Sequence, residues 1–194
     1  MKKILFTLAL LISFSSFGQE KLLDKFKKDI EAQISYTNDR NWDKVMSYSY
    51  PEIFSYITKE QMIEFFESAD SLGMDIKPSN PTNFTIGDPV EFDGATYYRI
   101  DYKNNLTIKL FGKMLNNKKT ILDNLYNVYK SRVDEFSLNE ETNTIYLTGN
   151  KIISISRKTN PHNNYWKYIE VNESPMLKKL VPILVLRKLK LWIK

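Results

Sequence analysis

The sequence predicts an α+β domain in which N-terminal helices pack on a strongly curved antiparallel sheet. Up to about residue 72, apolar residues recur at intervals of three and four, which is typical of amphipathic helices. From residue 84 to 110, apolar and polar residues alternate as in half-buried strands, and Asp93-Gly94 indicates a tight hairpin. The chain of 194 residues contains no repeat, low-complexity segment or linker, so one domain is expected.

The spacing of apolar residues predicts two N-terminal helices, separated by residues that interrupt the helical pattern. Leu22, Phe26 and Ile30 share a face and predict a helix over about 20–36. A second, short helix is expected to start at Trp42 with Asn41 as its N-cap. Pro51 ends that helix or adds one more turn.

The third helix carries signals at both ends. Thr58 and Gln61 form the capping-box pattern that opens a helix, and Gly73 fits its C-terminal cap. Its predicted apolar face consists of Met62, Phe65, Phe66, Ala69 and Leu72.

The strands are predicted mainly after residue 74. The stretch 74–92 supplies one strand or two, and 95–110 is either a strand pair or one long bent strand. In that second stretch, Tyr98, Ile100 and Tyr102 are expected on one face, with Tyr97, Arg99 and Asp101 on the other. A helix over 118–133 follows, then strands Thr144–Thr148, Lys151–Arg157 and Tyr165–Val171 with a turn at Gly149-Asn150, and helical segments from Pro175 and Pro182.

The N-terminus has the layout of a secretory signal peptide. Lys2 and Lys3 precede an apolar run from Ile4 to Phe14, and small residues end at Gly18. The run is about eleven residues, shorter than the roughly 20 that a membrane-spanning anchor needs. We therefore expect cleavage after Gly18, a signal peptide over 1–18, a single domain over 19–194, and a periplasmic or secreted location.

The sequence lacks the residues that several classes of catalytic and metal site require. The chain has no cysteine and one histidine, which excludes disulfides, thiolate metal sites and any site that needs two imidazoles. Glycines occur singly, so no phosphate-binding loop is expected. His162 lies in a Pro- and Asn-rich segment and is interpreted as an exposed turn residue. The sequence therefore predicts no metal and no cofactor.

Beyond the order of elements, a resemblance to known proteins rests on five segments of packing and turn residues. They are Trp42-Asp43-Lys44-Val45, Tyr48-Ser49-Tyr50-Pro51-Glu52-Ile53-Phe54, Lys59-Glu60-Gln61-Met62, Glu141-Thr142-Asn143-Thr144-Ile145 and Tyr165-Trp166-Lys167-Tyr168-Ile169-Glu170. The order of elements resembles the nuclear-transport-factor-2-like superfamily, the cone fold also called SnoaL-like or ketosteroid-isomerase-like, and the segments look like those of a subgroup of small exported proteins from the Bacteroidetes. The resemblance implies helices covering the open side of a curved antiparallel sheet, and it carries over no catalytic residue.

Aromatic side chains are the candidates for a ligand pocket. They either fill the core of the cone or line a partly open pocket for a small apolar ligand. Asp101 is interpreted as facing away from the tyrosines, where it would be solvated or paired. The pocket candidates are Trp42, Tyr48, Tyr50, Tyr98, Tyr102 and Trp166.

The C-terminal segment is basic and apolar. From Met176 to Lys194 it carries six basic residues and no acidic one. Either it docks across the domain with its cations in water, or it lies on an anionic membrane surface. Nucleic acid is a poor partner for an exported protein. The predicted function is a non-catalytic ligand-binding or interaction module, and the alternative is a cone-fold isomerase, dehydratase or hydrolase acting on a small apolar substrate.

Overall fold

The structure, a computed structural model, describes residues 2–79, 81–159, 165–171 and 175–191, with side chains from Gln19 onward except that of Pro175. His162 lies outside the described residues. The helices are α1 (Lys2–Asn38), α2 (Trp42–Ser47), α3 (Lys59–Leu72), α4 (Lys118–Tyr129), α5 (Pro175–Leu180) and α6 (Ile183–Lys188), with 3-10 turns at Pro51–Ser55 and Gly112–Asn117. The strands are β1 (Met74–Pro78), β2 (Thr82–Ile86), β3 (Val90–Phe92), β4 (Ala95–Leu110), β5 (Glu135–Asn139), β6 (Thr144–Lys158) and β7 (Lys167–Glu170).

The N-terminal helices confirm the predicted spacing and caps. Phe26, Ile30 and Ile34 recur every four residues on one face of α1 and are buried. The Asn41 side chain accepts a hydrogen bond from the Lys44 N–H at 3.3 Å, which caps α2 as predicted. Helix α1 extends beyond the predicted range of 20–36 at both ends.

Helix α3 has both predicted end signals but not the predicted buried face. Thr58 and Gln61 exchange the two bonds of a capping box, and Gly73 takes the left-handed conformation at the other end. Phe65 and Leu72, however, are exposed. The helix contacts β1 and the Gly112–Asn117 turn, so only a narrow stripe of its surface is covered.

The seven described strands form one antiparallel sheet organised on β4 and β6. These two strands pair along nearly their whole length. The other edge of β4 pairs in succession with β3, β2 and β1, so the stretch 74–92 supplies three strands. The other edge of β6 pairs with β7 and β5. The Asp93-Gly94 hairpin is confirmed, since both residues have positive φ as a tight primed turn requires.

One predicted turn is wrong. Gly149-Asn150 is expected to separate two strands, but β6 runs continuously through it and the register with β4 shifts there. Gly149 has a φ of +63°, and its N–H donates to the Asn105 side chain at 2.9 Å. A glycine in this conformation marks a bulge as readily as a turn. Strand β5 is not among the predicted strands.

The two faces of the sheet bury different helices. Ile100 lies in a cluster with Phe26 and Ile30 of α1. The preceding residue, Arg99, points to the opposite face of the sheet. Tyr97 and Ile155 lie on the same face as Arg99 and pack against α5 and α6. A third cluster joins the far ends of β4 and β6 to α4. The sheet is therefore covered on both faces.

Candidate functional site

A cavity of about 650 Å³ lies between α1 and the sheet. It reaches the surface at Ile76, which lines it and is exposed. Helix α1 supplies one wall through Ile30, Gln33, Ile34 and Thr37, which follow helical spacing. The sheet side includes Tyr102, Asn104, Leu106, Asn150, Ile152 and Ser154. The volume is in the range of small-molecule sites.

Two asparagines form a polar spot on the sheet side of this cavity. Asn104 and Asn150 are directly opposite each other in the β4–β6 register, next to the bulge. Both are buried, and Asn150 Nδ2 donates to Asn104 Oδ1 at 3.2 Å. Asn150 Oδ1 is also buried and has no hydrogen-bond partner among the described residues. An unpaired buried amide oxygen is costly, so the two asparagines mark the polar position in this wall of the cavity.

Two of the predicted pocket residues, Tyr50 and Tyr102, line the cavity. Burial raises the pKa of both phenols well above the usual value. Tyr102 stacks on Phe84 with ring centroids 5.2 Å apart. The Tyr50 hydroxyl donates to the Ile155 carbonyl at 3.3 Å, and the Arg157 guanidinium lies 4.3 Å from the ring centroid. Both tyrosines remain neutral at physiological pH.

Three other predicted residues pack around Phe26 and do not line this cavity. Trp166 and Tyr98 meet the Phe26 ring edge to face, with centroids 5.0 and 5.6 Å away, and Tyr48 joins the same cluster. Trp42 lies elsewhere and stacks on Phe66 at 4.9 Å beside a small surface groove. Trp42 and Trp166 therefore do not belong to one hydrophobic cluster.

A buried carboxylate beside the cavity is not among the predicted site residues. Asp29 of α1 accepts a hydrogen bond from the Tyr168 hydroxyl at 2.6 Å and pairs with Lys25 one helical turn earlier. Tyr168 lines the cavity. Burial, and then the hydrogen bond to Asp29, raise the pKa of Tyr168 strongly. Asp29 lies three residues after Phe26 and seven after Leu22, so helical spacing places it at the edge of the apolar face and could have indicated its burial.

Asp101 lies on the opposite face of the sheet, as expected. It pairs with both Nε and Nη2 of Arg99 at 2.7 Å. The pair lines a second cavity of about 480 Å³, which Lys188 and Lys190 also border. A bidentate pair of this kind accounts for the carboxylate without a catalytic role.

The C-terminal segment docks on the sheet. Leu177, Val181, Val185 and Leu186 are almost fully buried against the face that holds Tyr97 and Ile155. Within the part of the chain that the structure describes, no helix has the length and apolar content needed to cross a membrane. The described side chains include no group of three or more His, Cys, Asp or Glu arranged to hold a metal ion.

The chain was compared with protein-family models, curated proteins and solved structures. No family model matches, and neither search found a curated protein or a solved structure that is similar to the chain.

Proposed function

We propose that this protein is an exported, non-catalytic module that binds a small, mainly apolar molecule in the cavity between α1 and the sheet. The observation that carries the proposal is a cavity of about 650 Å³ with apolar side chains from α1 and the sheet and the buried Asn104–Asn150 pair in its wall. The arrangement of helices on an antiparallel sheet is compatible with a strongly curved cone of the nuclear-transport-factor-2-like kind, and we propose that fold relationship as well.

The cavity chemistry defines the class of ligand. Ile30, Ile34, Leu106 and Ile152 offer apolar walls, which favour a hydrocarbon or aromatic body. The Asn104–Asn150 pair is the polar position among these walls, and we infer that a hydroxyl or N–H group of the ligand meets it. The charged side chains that also line the cavity, Arg132 and Glu170, already pair with each other at 2.9 Å.

A second candidate is a cone-fold enzyme acting on a small apolar substrate, and the Tyr168–Asp29 contact is the observation that favours it. A tyrosine held by a carboxylate can supply a proton to a substrate. Here, though, the Tyr168 proton is already donated to Asp29, and its raised pKa disfavours the phenolate. We therefore assign Asp29 a structural role, that of holding α1 against the sheet, and not the role of a general base.

The proposal is tested with N-phenyl-1-naphthylamine, a neutral fluorescent molecule with an aromatic body and one N–H donor. We expect saturable binding to the full chain. Asn150→Leu should weaken binding about fivefold to tenfold because the acceptor is lost. Leu106→Trp should weaken it further by narrowing the cavity.

The control is Asn116→Leu, since Asn116 is exposed in the Gly112–Asn117 turn. It should bind the probe as the unchanged chain does. Equal binding by the Leu106→Trp and Asn116→Leu variants would contradict the cavity as the site. Turnover of an ester or enone substrate that Tyr168→Phe abolishes would favour the enzyme.

A further inference from the structure

Helix α6 has one buried face and one exposed face of mixed character. Val185 and Leu186 are fully buried on the sheet. On the other side Ile183 and Leu184 are 48% and 51% exposed, and Arg187 and Lys188 follow one turn later on the same face. Two exposed branched apolar side chains beside two cations are typical of a surface that meets another apolar phase.

Lys179 of α5 is a further exposed cation of the same C-terminal segment. Its ammonium lies 5.3 Å from the centroid of the Tyr56 ring, and Tyr56 is itself exposed. Tyrosine is one of the residues that settle at the boundary between water and a membrane. We call Lys179, Ile183, Leu184, Arg187 and Lys188 the basic face.

Charge is concentrated in this region. The described segment 175–191 contains five Lys and Arg and no acidic residue, out of 28 Lys and Arg in the chain. The remaining 23 basic residues are matched by the 23 acidic ones. The net charge of this segment, +5, is therefore equal to that of the whole chain, which favours an anionic partner.

We propose that the basic face binds the surface of a membrane rich in anionic lipids. Lys179, Arg187 and Lys188 would contact lipid phosphates, and Ile183 and Leu184 would enter the headgroup region. The docked helices keep their buried side chains on the sheet during this contact. The inference does not rest on the proposed ligand of the cavity.

The test is sedimentation of the full chain with lipid vesicles. We expect binding to vesicles of phosphatidylglycerol and phosphatidylcholine in equal parts, and much weaker binding to phosphatidylcholine alone. Replacing Lys179, Arg187 and Lys188 by Gln should lower the partition coefficient about 100-fold, at about fivefold for each cation. The Ile183→Ser, Leu184→Ser variant should lower it about tenfold.

Matched control variants remove cations and an apolar side chain from parts of the surface outside α5 and α6. Lys109→Gln, Lys113→Gln, Lys119→Gln removes three exposed cations away from α5 and α6 and should change binding less than about twofold. Val128→Ser removes an exposed apolar side chain of α4 and should have no effect. Because residues 1–18 include an apolar run that can itself bind lipid, each variant is compared with the unchanged chain in vesicles of the same composition.

Two results would overturn the proposal. The first is equal loss of binding in the two charge variants, which would mean that net charge and not the basic face is responsible. The second is unchanged binding by the Ile183→Ser, Leu184→Ser variant together with tight binding to heparin, which would identify a polyanion site without membrane contact. Thermal unfolding of each variant verifies that it is folded.

Discussion

A single hydrogen bond between the side chains of Asp29 and Tyr168 joins α1 to β7, the last strand of the sheet. The carboxylate is almost fully buried, and it contacts the Tyr168 hydroxyl and the Lys25 ammonium. Hydrogen bonds to charged groups are worth more than neutral ones. This contact therefore fixes the wall of the cavity that α1 supplies.

Tyr168→Phe should reduce the free energy of unfolding by about 1–3 kcal/mol, because the buried carboxylate loses one of its donors. Urea denaturation followed by fluorescence measures it. The control is Tyr146→Phe, whose ring is exposed and which should stay within about 0.5 kcal/mol of the unchanged chain. Equal stability of the Tyr168→Phe and Tyr146→Phe variants would show that α1 is held by packing alone.

Glu52 and Arg157 give the stability a dependence on pH. Arg157 is buried and pairs with Glu52 at 2.5 Å. Burial acts to raise the pKa of Glu52, but the hydrogen bonds from Arg157 and from the backbone outweigh it, so the pKa falls below its usual value of 4.5. The contribution to stability is therefore complete above pH 4.5 and is lost as the pH falls through the lowered pKa.

Glu52→Gln should cost about 1–2 kcal/mol at pH 7, since the buried guanidinium loses its charged partner. The difference from the unchanged chain should shrink below pH 4.5. Denaturation at several pH values measures both effects. Glu64→Gln, which changes an exposed carboxylate of α3, should show neither. A difference that is independent of pH would contradict the ion-pair explanation.

At the scale of helices and strands, the C-terminal end of α3 depends on Gly73. Gly73 has a φ of +107°, and a Cβ there would lie 1.9 Å from the Phe111 carbonyl oxygen. The Phe111 N–H also donates to the Gly73 carbonyl at 2.8 Å. The backbones of the helix end and of the segment after β4 therefore touch directly.

Gly73→Ala should destabilise the protein by more than about 3 kcal/mol, because a backbone clash adds to the roughly 1–3 kcal/mol of strain at this conformation. Gly112→Ala is the matched control: its φ is +54°, and a Cβ at this position would have no neighbouring atom within 4 Å. It should cost only about 1–2 kcal/mol, from the left-handed backbone alone. Thermal unfolding of both variants measures the difference, and similar losses would mean that the clash is relieved by movement.

Elements with local chemical signals were predictable from the sequence, and the cavity was not. The caps at Asn41, Thr58 and Gly73 and the Asp93-Gly94 hairpin depend on neighbouring residues, so a short window contains their cause. Asn104 and Asn150 meet only because β4 and β6 pair in one register, and no local pattern encodes that pairing. The turn predicted at Gly149 is wrong for a related reason: its conformation suits a turn, and the long partner strand converts it to a bulge.

Processing is a prediction about the whole molecule. We expect export and removal of residues 1–18, so that the mature chain begins at Gln19. Among the side chains of α1 that the structure describes, those in the cluster on the sheet begin at Leu22, after the predicted cut. N-terminal sequencing or intact mass of the exported protein measures the start site. A full-length species retained in the inner membrane would contradict cleavage and favour an anchor.

The dependence of the sheet on β4 and β6 determines how the chain reaches its native state. Strands β1, β2 and β3 attach to β4, and β5 and β7 attach to β6. The β3–β4 hairpin can form within microseconds. Before β4 and β6 can pair, the loop formed by residues 111–143 has to close. We therefore expect the pairing of these two strands, which are distant in the sequence, to limit the rate of folding. Substitutions that weaken their pairing slow folding, whereas substitutions in elements that dock afterwards mainly speed unfolding.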